Sequence, residues 1–259
     1  MPSTKTPAKK KRSPLHLLPR RRAVKGVGGA KAKTLAIDIG GSHVKASVLD
    51  ARGRMLHDRV KVDTPKRLTP QRLVSLIGEL VAPLPRFDRV SVGFPGVVRD
   101  GVVRTAPNLG TERFHGFNLG RALQRRLRKP VRVENDADVQ GPAVVKGKGV
   151  EMVITLGTGF GSSIFVDGRL GPHLELAHHA FRKDKTYEDE LGELARLRDG
   201  DESWQRHVLE AIESLRNLTN FDHLYIGGGN ARLLDVKLPR DVSVVSNTAG
   251  IIGGVRLWA

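Results

Sequence analysis

Thr34-Leu-Ala-Ile-Asp-Ile-Gly-Gly-Ser-His-Val-Lys-Ala-Ser-Val-Leu49 reads as two short strands joined by a glycine turn. Leu35, Ala36, Ile37 and Ile39 form an apolar run that stops at Gly40-Gly41, and Val44, Ala46 and Val48 then alternate on one face. A turn at Asp50-Ala-Arg-Gly53 predicts a third, more polar strand over residues 54–62, which makes the segment an antiparallel meander. The chain repeats the unit once. Residues 151–157 and 161–166 are apolar strands around Thr158-Gly159-Phe160, and Asp167-Gly168 supplies a tight turn after the second. No shorter-period repeat accompanies it.

Both turns are chemically suggestive. Asp38-Ile-Gly-Gly-Ser-His-Val-Lys45 offers backbone N–H groups free of side chains, a hydroxyl and an ammonium, which suits a phosphate. It is no Walker loop, because the spacing before Lys45 differs and a strand follows instead of a helix. Gly157-Thr-Gly-Phe-Gly161 is a second such cradle. One glycine hairpin alone is usually a structural turn. Two, each between apolar strands, suggest a clamp on two parts of one phosphate chain.

Elsewhere, Thr69-Pro70 starts a helix to residue 82, with Leu73, Leu76, Ile77, Leu80 and Val81 at helical spacing. A buried strand over 89–93 ends in Phe94-Pro-Gly96. Residues 98–117 look irregular, with short strands near Val102-Val103. A helix over 118–127 is ended by Pro130. Val131-Arg-Val-Glu-Asn-Asp-Ala-Asp138 then runs from an apolar strand into an acidic turn, and a helix follows through Ala143 to Lys146. A strand end is a rigid mount, and Asn135 and Asp136 put an amide beside a proton acceptor. Asp136 and Asp138 point to different sides of a helix that starts here, so only one faces a given substrate. The plainer reading is an N-cap. Helices are expected over 187–197 and 203–218, strands over 223–226 (before Gly227-Gly-Gly229) and 242–245, and a last helix over 248–258.

The chain has 259 residues and no cysteine, which excludes disulfides, thiolate metal sites and a cysteine nucleophile. No apolar run approaches the ~20 residues that span a bilayer, and the first residues lack a secretory core. A cytoplasmic protein with no membrane partner is the expectation. Of the +17 formal charge, residues 1–33 carry +11, with eleven Lys or Arg and no acid. This tail is expected to be disordered. It is either a solvated tail or a tether for a polyanion: nucleic acid, a membrane surface or polyphosphate.

Asp38 to Lys45, Gly93-Phe-Pro-Gly96, Pro107-Asn-Leu109, Glu134-Asn-Asp-Ala-Asp138, Leu156 to Gly161, Glu175-Leu-Ala-His178, Gly227 to Gly229 and Ala249-Gly-Ile-Ile-Gly253 resemble, in order, the motifs of the ROK sugar kinases. Within that family the short polyphosphate glucokinases look most similar. The resemblance implies an actin-like (Hsp70-type) ATPase fold: two α/β domains with a cleft between them, often in a homodimer. It divides the chain into the basic tail 1–33, a domain over 34–133 on which 248–259 packs back, and a domain over 134–247. It also implies Asp136 as catalytic base and sugar contacts from Asn108, Asn135, Glu175 and His178. Phosphate would be held by Asp38, Gly40, Gly41, Ser42 and Lys45, by Gly157, Thr158, Gly159 and Gly161, and by Gly228 and Gly229. Asp38 would also lie near Mg²⁺. The implied activity is phosphoryl transfer from polyphosphate or ATP to the 6-hydroxyl of glucose or a related hexose, with the basic tail as a further polyphosphate contact.

The chain departs from the family pattern in two places. Many relatives hold zinc through cysteines beside the sugar, whereas this chain has none, so no zinc is expected. Ala177 stands where Glu-x-Gly-His has glycine; at φ > 0 that alanine would cost about 1 kcal/mol. The basic stretch after it, residues 179–185, leaves hexose selectivity open. Two alternatives stand beside this reading: a sugar-responsive transcriptional regulator, which the same family contains but which needs a winged helix that the 33 residues before Thr34 do not resemble, and a catalytically silent sugar-binding protein.

Overall fold

The apolar runs that flank each glycine turn fold as paired strands in a computed structural model that describes residues 31–172, 174–246 and 249–258. The tail expectation for residues 1–30 lies outside the described residues. β1 (Thr34–Ile39), β2 (His43–Leu49) and β3 (Val60–Asp63) form the antiparallel meander. After α1 (Pro70–Val81), β4 (Arg89–Phe94) returns parallel to β1. After α2 (Leu119–Leu127), β5 (Val131–Asn135) returns parallel to β4. The strand order is β3-β2-β1-β4-β5.

The second sheet repeats this plan. β6 (Val150–Leu156), β7 (Phe160–Val166) and β8 (Arg169–Leu170) are antiparallel neighbours, and β9 (His223–Gly227) and β10 (Val242–Val244) add in parallel on the far side of β6. Both sheets therefore read third, second, first, fourth, fifth. The repeat seen as one hairpin in the sequence extends to two five-stranded sheets.

Each sheet has its own core. Leu35, Ile37 and Ile39 of β1 pack with Leu73 and Ile77 of α1 and Leu119 and Leu123 of α2, all essentially inaccessible to solvent. Each such side chain contributes roughly 1.5–3 kcal/mol of burial. Thr69 caps α1 by accepting from the Arg72 N–H at 3.2 Å, and Pro70 sits where no N–H is needed. In the second core, Ile154 and Leu156 meet Trp204, Val208, Ile212 and Leu215 of α6 (Asp201–Thr219).

α3 (Asp136–Gln140) follows β5 without a loop, and α4 (Tyr187–Leu191) and α5 (Glu193–Asp199) precede α6. The C-terminal segment, α7 (Ala249–Ile252) and the 3-10 turn Gly253–Trp258, lies on the first sheet. Ile251 packs with Ala36 and Leu49, and Trp258 Nε1 donates to Ser91 Oγ at 2.9 Å.

Four sequence expectations shift. Residues 54–59 are not strand: they are exposed, and Met55 makes only an isolated bridge to Leu49. Pairing begins at Val60, where Val60 and Val62 find apolar neighbours in the first core. The helix after Asp136 stops at Gln140 and becomes a 3-10 turn over Gly141–Ala143, since Pro142 removes a donor. The helix expected over 187–197 breaks at Gly192, which is extended (ψ 168°). The last helix tightens to 3-10 from Gly253, where a Cβ would strike the Val139 carbonyl.

Candidate active site

The two glycine turns face each other across a cleft between the sheets, about 480 Å³ in volume. Ser42 Oγ and Thr158 Oγ1 are 3.0 Å apart, so one hydroxyl donates to the other across it. Each turn is internally closed: Gly40 N–H donates to the His43 carbonyl at 2.9 Å, and Gly157 N–H to the Gly159 carbonyl at 3.1 Å. Side chains are excluded at the tips. A Cβ on Gly41 would lie 2.9 Å from Thr158 Cγ2, and one on Gly159 would enter the Glu188 carboxylate. Beside the first turn, Lys45 Nζ donates to Asp38 Oδ2 at 3.5 Å, their strands holding them opposite one another.

A third glycine turn supports the second. Gly228 has φ +89°, and a Cβ there would strike the Leu156 carbonyl, which accepts from Asn230 N–H at 2.9 Å. The break at Gly192 now has a purpose: it lets Glu193 N–H donate to the Gly157 carbonyl at 2.9 Å. Asn230 Nδ2 donates to Glu193 Oε2 at 2.6 Å and to the same Gly157 carbonyl at 3.3 Å. Two donors thus hold Gly157 from outside its own turn.

The β5–α3 junction carries the acidic end of the cleft. Asn135 is the N-cap of α3: its Oδ1 accepts from Ala137 N–H at 2.9 Å, and its Nδ2 donates to the Gly96 carbonyl at 3.2 Å. Asn135 is thus an N-cap that also lines the cleft. Burial, above all, and then the charge of Asp38 push the Asp136 carboxyl up to about 7. The Ala137 N–H opposes that rise, and Asp138 and Glu175 add to it. Asp138 is buried on α3 and does not line the cleft.

Every residue that the family resemblance implies for catalysis, sugar or phosphate lines this cleft except His178. His178 is exposed at the end of the 3-10 turn Leu176–His178, while Glu175 and Ala177 reach the cleft. Ala177 lies within that turn and is not among the positive-φ residues, so the strain considered for it does not arise. The basic stretch that follows is balanced by one buried acid. Glu190 accepts from Arg182 at 3.1 Å, and Lys185 and Arg198 lie at 2.9 and 3.2 Å. Burial opposes ionisation there, but Lys185 and Arg182 hold the Glu190 carboxyl below its usual range.

Sequence reading missed Glu188, Glu193, Asn230, Arg59, Lys61 and Arg232, all in the lining. Glu188 sits in the first turn of α4, where an acid ordinarily answers the helix dipole. Its N-terminal signal, the Thr186/Asp189 capping box, marks the helix start and not the cleft.

The paired sheets, with their shared strand order and a cleft between facing glycine turns, define an actin-like fold. Residues 34–181 match the ROK family, and the chain belongs to it. It is 31% identical to the polyphosphate glucokinase of Mycobacterium tuberculosis over 233 residues, 84% of this chain and 88% of that protein. Identity to the Mycobacterium leprae polyphosphate glucokinase is 30% over 240 residues, 86% of this chain and 74% of that one. Among solved structures, the inorganic polyphosphate/ATP-glucomannokinase of Arthrobacter sp. strain KM superposes with a TM-score of 0.80 at 31% identity, covering 88% of this chain and 98% of that one. No described helix is long and apolar enough to cross a membrane.

Proposed function

We propose that this chain is a glucokinase that transfers a phosphoryl group from inorganic polyphosphate or ATP to the 6-hydroxyl of glucose. The observation that carries the reading is the placement of Asp136, a carboxyl poised near neutrality, in the same cleft as two phosphate-shaped turns. The similarity to polyphosphate glucokinases over most of both chains supports the substrates.

Asp136 accepts the proton of the sugar hydroxyl while that oxygen forms its bond to phosphorus. The bond from phosphorus to the donor's bridging oxygen breaks, and ADP or a shortened polyphosphate leaves. A raised pKa brings the acceptor toward the range where general bases work best. Asn108, Asn135, Glu175 and Glu188 supply hydrogen-bonding groups for hydroxyl selection. His178, at the rim, would join them only by moving inward. The N–H groups around Gly40–Ser42 and Gly157–Gly159 would hold donor phosphates in line, which is most of what phosphoryl transfer asks of a protein.

Mg²⁺ fits this site. Asp38 would hold it, because its charge lies close enough to disfavour ionisation of Asp136, and among the described residues Lys45 is the cation that approaches it. When bound, the ion neutralises charge on the donor phosphates. A cytoplasmic homodimer, with the basic tail as an added polyphosphate contact, completes the reading.

Purified protein with glucose, Mg²⁺ and either donor tests it. Glucose 6-phosphate should form, with mannose or glucosamine as lesser substrates. A hexose panel with no product from either donor would overturn the proposal, and glucose binding without turnover would return the silent sugar-binding alternative.

A further inference from the structure

The face of the first sheet that turns away from its core carries cations the mechanism above does not use. Val44 and Ala46 of β2 and Val60 and Val62 of β3 point into the core. Strand alternation sends their neighbours to the other face. There Lys45 stands directly opposite Lys61 in the β2–β3 ladder, and Arg59 lies in the exposed segment that immediately precedes β3. All three line the cleft.

That arrangement is unfavourable for the empty fold. Like charges directly opposite on neighbouring strands repel, with Cβ atoms only about 5 Å apart. Lys45 is relieved by Asp38 at 3.5 Å. Arg59 and Lys61 are exposed, and no ion pair engages either among the described residues. The nearby acid on the ladder, Asp63, faces His43 at 3.2 Å. An edge strand commonly carries a lysine to prevent sheet-to-sheet pairing. That role does not require Lys61 to lie opposite a second lysine, nor an arginine beside it at the mouth of a phosphate cleft.

We propose that Arg59 and Lys61, continuing from Lys45, form a cationic track that holds the non-reacting residues of a polyphosphate chain outside the two glycine turns. The track rests on the phosphotransfer reading above and adds the discrimination between donors. A linear polyanion keeps its charge density beyond the third phosphate, whereas ATP ends its charge there and continues as ribose and adenine. Cations spaced along a strand pair reward the first donor and give the second little.

The test compares wild-type protein with Arg59→Ala/Lys61→Ala, using long-chain polyphosphate, tripolyphosphate and ATP as donors to glucose across a range of salt. The track predicts a KM for long-chain polyphosphate raised about tenfold or more. The rise should be smaller for tripolyphosphate and smallest for ATP. The slope of log KM against log salt for the long donor should flatten by roughly one to two powers, as expected when two cations no longer displace counterions. Melting temperature of Lys61→Ala should be equal to or above wild type, because the opposed lysines are separated. A uniform change across all donors, or none, overturns the track. Direct titration of long-chain polyphosphate onto both proteins without sugar reads the track independently. If wild type phosphorylates no sugar yet binds polyphosphate more tightly than the variant, the glucokinase reading falls and the track stands. Equal binding by the two proteins removes the track whatever the activity.

Discussion

The two sheets have the same strand order and very different chemistry. In the first, the hairpin sets Asp38 opposite Lys45, a charged pair; in the second, the matching hairpin sets Thr155 opposite Gly161. The fifth strand of the first sheet runs into Asn135 and Asp136, whereas that of the second ends at Val244 and leads to Val245 and Ser246. The edge strand β3 and the residue just before it present Lys61 and Arg59 to the cleft, and its counterpart β8 is only two residues long. One architecture thus supplies both walls. The groups proposed to move a proton and bind a metal, Asp136 and Asp38, are carried by strands of the first sheet, Asp136 just past the end of β5. The second half contributes glycine turns and the acids Glu175 and Glu188. A repeated strand order thus carries an unrepeated set of side chains.

The comparison breaks most visibly at Asp136. Asp136→Asn keeps the shape and the hydrogen bond from Ala137, so the fold and sugar affinity should persist. Turnover should fall by about two orders of magnitude or more, equivalent to ~3 kcal/mol of barrier. Asp138→Asn, buried on the other side of α3, should leave turnover much closer to wild type. Steady-state kinetics with glucose and either donor distinguish the two. Near-normal turnover in Asp136→Asn would remove the carboxyl from the mechanism and with it the functional asymmetry of the halves.

Gly228→Ala tests the scaffold side. The residue has φ +89°, and its added methyl would meet the Leu156 carbonyl at the end of β6. Backbone cannot yield as a side chain does. A loss of at least ~1 kcal/mol in stability is expected from the conformation alone, with a raised KM for the phosphoryl donor because Gly157 moves with its neighbours. Denaturant melts and donor kinetics measure both. Unchanged stability would mean that the third turn is freer than its packing indicates.

Much of this was legible in the sequence. The two hairpins, the capped α1 and the strand-to-acid junction at Asn135-Asp136 follow from local apolar period and cap chemistry, which act over a few residues. Three things were not legible. The start of β3 depends on where the core offers apolar neighbours, so residues 54–59 failed to pair despite following a proper turn. The helix break at Gly192 goes with a hydrogen bond from the Glu193 N–H to the Gly157 carbonyl, thirty-six positions earlier in sequence. Glu188 looks like any acid at a helix start until α4 is placed against Gly159. Each depends on tertiary contact, which local pattern does not encode.

Glu151 sharpens the contrast at smaller scale. The second residue of β6 is a buried acid where β1 has Leu35. Burial raises its pKa, but N–H groups of Lys146, Gly147 and Lys148 and the Tyr225 hydroxyl donate to it and bring the value below the ordinary 4.5. Its folded pKa is depressed, so its stabilisation is complete above about the ordinary value and lost as pH falls through the lower folded one. Glu151→Gln should destabilise by roughly 1–3 kcal/mol at pH 7, since an amide N–H₂ cannot accept from those donors. The variant's Tm should also vary less than wild type below pH 4.5. Parallel Tm curves for the two proteins would show that the loop 146–148 is held by something else.

The smallest expected effect concerns residues 1–33, which join the first half at β1. Lys33 N–H donates to Asp88 at 2.8 Å, at the end of β1 away from the glycine turn. The strand of six residues places that point about 20 Å from the cleft. Thirty-three residues span at most roughly 110 Å when extended, so reach does not limit a contact with donor bound in the cleft. Charge favours one, since the tail holds +11 of the formal +17. Yet long-range attraction is screened over ~8 Å at physiological salt. Removal of residues 1–33 should therefore raise KM for long-chain polyphosphate only a few-fold, less than loss of Arg59 and Lys61, with ATP affected least. The difference should vanish at high salt. Full-length and truncated protein with both donors at two salt concentrations provide the measurement. Equal donor kinetics with and without the tail would assign its charge to another partner and leave donor choice entirely to the first sheet.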